Sequence, residues 1–201
     1  TITVLEKGSN GDIYIGTRSG LSIYRNSTFI NYTSFYSGAD TLNGISVHSI
    51  YESTSNIIWI GTSNGLFQLV DDRLIRAADN GIKLNDFEIF SILEDNNEEL
   101  WIATFGDGLF KRNQKGEYEQ IQLEGNIDKI NFLYKDSNSA IWICHQNGVV
   151  RYYENEFSYL TTHEGLSEDA VEEIVEDYEG SIWLTTYYGG IYRLRDGIFL
   201  N

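Results

Sequence analysis

The stretch Ile57–Leu69, IIWIGTSNGLFQL, sets an apolar run with a Trp, a Gly-Thr pair and an Asn-Gly turn into thirteen residues. The phrase returns four times, as DIYIGTRSGLSIY from Asp12, ELWIATFGDGLFK from Glu99, AIWICHQNGVVRY from Ala140 and SIWLTTYYGGIYR from Ser181. Its aromatic anchors are Tyr14, Trp59, Trp101, Trp142 and Trp183, spaced by 45, 42, 41 and 41 residues. A period near forty points to propeller blades or helical arrays.

The residues around each phrase choose between the two. In the second copy, SVHSIYE (46–52) alternates apolar and polar side chains as a strand does, and IIWIGT follows as a strand that is apolar on both sides. The Asn64-Gly65 pair between two apolar runs predicts a type I′ hairpin, with positive φ at both central residues. LFQLV and LIRAA read as third and fourth strands. The order recurs in every copy, and no segment keeps a helical period. EDAVEEIVEDYEG (168–180) favours helix by its Glu and Ala, but its alignment with the other copies reads strand. The chain is therefore expected to be all-β: one propeller segment over residues 1–201, built of five four-stranded antiparallel blades. Blades covered on both faces explain a continuously apolar middle strand. The anchors read as wedges between blades, and Gly16 and Gly61 as points where sheets crowd.

Composition bounds the function. Fourteen basic against thirty acidic residues give a net charge of −16, which argues against nucleic-acid and anionic-membrane partners. The lone cysteine, Cys144, allows no internal disulfide and reads as an inert buried thiol. The three histidines, His48, His145 and His163, lie in different repeats without metal-ligand spacing, so neither metal nor cofactor is expected. The acidic pairs Glu94-Asp95 and Glu176-Asp177 read as solvated turn residues. The chain has no Met at position 1 or elsewhere and reads as a segment of a longer or processed protein.

SILEDNNEELWIATFGDGLF and TTHEGLSEDAVEEIVEDYEGSIWLTTYYGGIYR resemble the two-component regulator propeller repeat. That repeat has a Gly-Leu-Ser-like lead, a strand ending in Glu-Asp, an Asp/Gly turn, Trp-Ile-Gly-Thr and a Gly-Leu hairpin. The resemblance implies the periplasmic sensor region of a hybrid two-component system, seven-bladed rings, and a membrane helix and histidine kinase elsewhere in the parent chain. The family's Gly-Thr is Ala103-Thr104 in the third copy, Cys144-His145 in the fourth and Thr185-Thr186 in the fifth.

Strand direction places the second-to-third-strand hairpins and the blade-to-blade connections on one face. Departures from the repeat at these tips nominate ligand-binding residues: Arg18, Asn64, Phe105, Asp107, His145, Gln146, Tyr187 and Tyr188. Flat aromatics against the C–H face of a sugar, with amides and a carboxylate on its hydroxyls, suit an oligosaccharide or another small molecule. The expected function is non-catalytic sensing. Expected partners are that ligand, the remaining blades, downstream signalling domains and a second copy of the chain. The alternatives are a lectin, a five-bladed glycan-active enzyme and a protein-binding propeller. The enzyme would need a partner carboxylate for Asp107 from Asp40, Asp86, Asp128 or Glu164.

Overall fold

The computed structural model describes residues 1–37, 40–78, 82, 84–166, 170–195 and 198–200. The first sheet runs β1 (Ile2–Lys7), β2 (Ile13–Thr17), β3 (Gly20–Arg25) and β4 (Thr28–Tyr32). A hairpin of β5 (Ser34–Ser37) and β6 (Asp40–Asn43) follows. The second sheet then takes β7 (Val47–Glu52), β8 (Ile58–Thr62), β9 (Gly65–Val70) and β10 (Arg73–Arg76). The third is β11 (Ile89–Glu94), β12 (Leu100–Thr104), β13 (Leu109–Arg112) and β14 (Tyr118–Ile121). The fourth is β15 (Ile130–Lys135), β16 (Ile141–His145), β17 (Gly148–Tyr153) and β18 (Glu156–Leu160). The fifth is β19 (Val171–Glu176), β20 (Ile182–Thr186), β21 (Gly190–Arg195) and β22 (Ile198–Leu200). Helical structure among the described residues is confined to 3₁₀ turns at Leu84–Asp86 and Thr162–Glu164. The stretch at 168–180 is strand from Val171 to Glu176, and its Glu168 and Asp169 lie outside the described residues.

The chain divides into two compact units, one of residues 1–102 with 110–120, the other of 103–109 with 121–201. In the first, Tyr14, Leu21 and Ile23 of the first sheet pack with Val47, Ile60 and Phe67 of the second. Trp59 and Leu66 of the second pack with Ile89, Ile92 and Phe110 of the third. In the other unit, Trp142, Cys144 and Val149 pack with Val171, Ile174, Leu184 and Tyr192. The anchors Tyr14, Trp59, Trp101 and Trp142 are at most 2 % exposed, so each wedge contributes roughly 2–3 kcal/mol. Trp183 departs from this and is half-buried, because it lies on the same face of the fifth sheet as the exposed Val175 and Ile191.

The Gly positions behave as read. A Cβ on Gly61 would stand 2.2 Å from Ser49 Oγ and 2.8 Å from Ile89 Cγ2, and one on Gly16 2.4 Å from Val4 Cγ1.

Three expectations are corrected. Gly65 has φ 95°, but neither Ser63 nor Asn64 has positive φ, so the tip is not type I′. The Thr62 hydroxyl accepts from Asn64 N–H (3.0 Å) and donates to the Gly65 carbonyl (2.8 Å), and these bonds set the turn. Paired positive φ occurs instead in the third-to-fourth-strand hairpins, at Asn26-Ser27, Asp71-Asp72 and Glu154-Asn155. Secondly, 34–43 is not a plain connection. β5 pairs parallel with β10 and extends the second sheet, because Phe35 is fully buried edge-on against Phe67 at 5.1 Å.

Thirdly, the first-turn acids are structural. Asp95 and Asp177 accept from the indole Nε1 of Trp101 (2.9 Å) and Trp183 (2.7 Å), and their other oxygens cap two turn N–H groups each. Burial pushes Asp95 up, but its indole and backbone donors and Lys111 outweigh that and hold it below the usual carboxylate range. Glu94 and Glu176 clasp the preceding sheet: Glu176 accepts from Ser137 N–H and Oγ–H (both 2.6 Å), and Glu94 accepts from the same two groups of Thr54.

Candidate functional site

The hairpin tips share one construction. Thr17, Thr62 and Thr104 end the second strand of their sheets, and each donates its hydroxyl to the carbonyl of the Gly that opens or precedes the third strand. The tips are hydrogen-bonded to connections, as strand direction requires. Gly65 N–H donates to Phe87 O (2.9 Å), Gly106 and Gly108 N–H to Asp128 O (2.8 and 3.0 Å), and Tyr187 N–H to Ala170 O (3.0 Å). Variable side chains thus stand on a fixed backbone platform.

On that platform the eight nominated residues separate. Arg18 is exposed at the first tip. Asn64 is held by Arg76, whose Nη2 donates to its Oδ1 (2.7 Å) and whose Nη1 donates to its carbonyl (2.8 Å). Both lie in the first unit. In the second unit, Phe105 is half-buried with Lys129 Nζ 5.6 Å from its ring centroid. Asp107 lies two residues further along the same tip, its N–H donating to Thr104 Oγ1 (3.1 Å). Burial and then the charge of Asp128 raise its carboxyl above the ordinary range.

His145 does not reach the surface. It is 4 % exposed, and its Nδ1 accepts from Asn147 N–H (3.1 Å). It occupies the position of the capping Thr and performs the same turn closure, so it is the neutral tautomer with its proton on Nε2. Burial lowers its pKa to about 4. Gln146 is exposed. Tyr187 and Tyr188 are 64 % and 82 % exposed, edge to face with centroids 4.5 Å apart. The structure thus brings the two tyrosines together and sets Asp107 near Asp128.

Of the other acids nominated as partners for Asp107, Glu164 is committed to a cap, its Oε2 accepting from Thr161 N–H (2.7 Å). Asp86 ends the 3₁₀ turn at Leu84–Asp86, and the Asp40 side chain lies outside the described residues. Cys144 is fully buried in the core between the fourth and fifth sheets, and burial, with Glu173 and Glu172, pushes its thiol far above the ordinary value. As an alternating strand neighbour of His145 it is no nucleophile paired to a base.

Residues 41–64 and 84–106 match the family model described as two component regulator propeller. These two segments are two-component regulator propeller repeats. A 78-residue part is 35% identical to Histidine kinase P4 of Formosa agariphila, covering 35% of this chain and 6% of that protein. Among solved structures, the extracellular domain of a protein assigned to the hybrid two-component systems of B. thetaiotaomicron superposes with a TM-score of 0.70 at 21% identity, over 96% of this chain and 32% of that one. An inactive H270A virginiamycin B lyase from Staphylococcus aureus superposes with a TM-score of 0.78 at 14% identity, over 99% of this chain and 68% of that one. The likenesses establish the β-propeller fold, which both that extracellular domain and the lyase use. The chain spans a third or less of the two-component proteins it matches.

Within the propeller repeats, the Thr of Gly-Thr proves to be the hairpin cap and the Asp of Glu-Asp the indole acceptor. The recurrence of Thr three or four residues before a Gly is the signal for the first. No described helix is long and apolar enough to cross a membrane.

Proposed function

We propose that this propeller is the periplasmic ligand-sensing part of a hybrid two-component regulator, and that it binds an oligosaccharide on its hairpin face without catalysing a reaction. The observation that carries the reading is the Tyr187-Tyr188 pair. Two large rings stand in solvent at a turn whose backbone is already fixed by the Tyr187 and Gly189 N–H bonds. Perpendicular rings offer a flat face and an edge to a sugar, and Gln146 is a solvent-facing amide on the neighbouring tip.

Exposed apolar side chains on the first sheet (Leu5 and Phe29) and on the fifth (Val175 and Ile191) support further blades of the same protein as partners. The same surfaces suit a second copy of the chain, which the mass of the protein in solution separates from added blades.

The test is a glycan array, followed by titration of the best glycan into wild type and the Tyr187→Ala/Tyr188→Ala double variant. The reading expects a loss of tenfold or more with an unchanged unfolding midpoint; unchanged affinity removes the pair from the site. A second reading, a glycan-active enzyme, draws on the raised Asp107 carboxyl beside Asp128, the kind of unequal acid pair glycosidases use. Sugar release from an oligosaccharide panel, abolished by Asp107→Asn, would decide for it.

A further inference from the structure

A cation from the third strand of the same sheet lies over Trp101, Trp142 and Trp183; it has a polar partner in two of these sheets and lacks one in the other. Lys111 lies over Trp101 and pairs with Asp95 and Glu99. Arg193 lies over Trp183, donates to Ser181 Oγ and faces Glu179 at 3.7 Å. In the fourth sheet Arg151 lies directly cross-strand from Trp142, 5.5 Å from its ring, and 4.6 Å from that of Tyr153. There the position of Glu99 and Ser181 is Ala140, and that of Glu179 is Asn138. Among the described residues no hydrogen bond or ion pair reaches the Arg151 guanidinium. Asp136 accepts from Trp142 Nε1, Asn138 N–H and Ala140 N–H and, unlike Asp95 with Lys111, makes no ion pair with the cation on its Trp.

This guanidinium borders a cleft of 370 Å³ between the fourth and fifth sheets. Cross-strand register puts Ser158 beside Arg151 on the same face, and Leu160, Ile182 and Leu194 supply apolar wall. The two rings lie beside the guanidinium and make no N–H···O bond with it, and a planar fork of donors matches a carboxylate bidentately.

We infer that the cleft between the fourth and fifth sheets binds a small carboxylate, held by the Arg151 guanidinium and the Ser158 hydroxyl with its carbon skeleton against Leu160, Ile182 and Leu194. The charge is a single negative one, because the Asp136 carboxylate in the same wall and the net charge of −16 oppose a dianion. Asp136 and Asn138 belong to the first turn, which emerges away from the hairpin tips, so the inference does not depend on the oligosaccharide reading.

Benzoate and its neutral isostere benzamide are the probes, titrated into the protein by calorimetry and by ¹H–¹⁵N chemical-shift mapping. Benzoate is expected to saturate with shifts centred on Arg151, Ser158 and Leu194, and benzamide to bind tenfold or more weakly. Arg151→Gln is expected to weaken benzoate about tenfold or more, the worth of a charge-assisted bond. Ser158→Leu fills the cleft while keeping Arg151 and is expected to abolish binding, which covers the case in which Arg151→Gln fails to fold. No benzoate binding to wild type, equal binding of benzamide, or unchanged affinity in either folded variant overturns the inference.

Discussion

The Trp142 indole donates from Nε1 to Asp136 Oδ2 at 2.8 Å, and the other oxygen of that buried carboxylate accepts from Asn138 and Ala140 N–H. One side chain thus closes the first turn and fixes the wedge that packs toward the fifth sheet. Asp136→Ala is expected to cost about 3 kcal/mol, because three donors lose a charged acceptor at a buried position. Asp136→Asn keeps one acceptor oxygen and is expected to cost less. Urea denaturation measures both; a loss under about 1 kcal/mol for Asp136→Ala would show that water replaces the carboxylate.

Gly61 is constrained by its neighbours. A Cβ there meets Ser49 Oγ at 2.2 Å and the Ile89 carbonyl at 3.0 Å. Gly61→Ala is therefore expected to destabilise by about 1–3 kcal/mol. Adding Ser49→Gly removes the nearest clash, so the double variant should recover part of the loss. Strictly additive effects in the double-mutant cycle would contradict this packing account.

The sequence made the strands and wedges legible because burial on both sides of a middle strand leaves a continuous apolar signature, and a forty-residue period repeats it. It did not make Trp183 distinct from Trp142, since exposure depends on what covers a face and not on the residue itself. The 34–43 hairpin was hidden for a related reason: its parallel partner, β10, lies about forty residues away. At the candidate site, Tyr187 and Tyr188 were legible as aromatics at a turn. The structural bonds of His145 and Asn64 were not legible. Thr Oγ1 and His Nδ1 are interchangeable acceptors for a turn N–H, and the Arg76 that occupies Asn64 comes twelve residues later.

Asp107 carries an expected stability gain. Its carboxyl is raised in the folded protein, first by burial and then by Asp128. A raised carboxylate opposes folding as pH climbs through the unfolded value of about 4 and above. Asp107→Asn should therefore raise the urea midpoint at pH 7 and leave it unchanged near pH 3, where the acid is protonated in both states. A variant less stable than wild type at pH 7 would show that Asp107 makes contacts worth more than its charge costs.

His145 carries the opposite pH signature. Burial lowers its pKa to about 4, against about 6.5 in the unfolded chain. Between those values the unfolded state binds the proton and the folded state does not, so stability falls as pH drops through that window and levels off below it. At pH 4.5 this is worth on the order of 2 kcal/mol relative to pH 7. His145→Thr restores the cap used by Thr62 and Thr104 and removes the titrating group. The variant should match or exceed wild type at pH 7 and lose much less stability between pH 7 and pH 4.5, compared by urea midpoints in the same buffers. If wild type and variant decline in parallel across that interval, the imidazole is protonated in the fold, and its Nδ1 cannot be accepting the Asn147 N–H on which the turn depends.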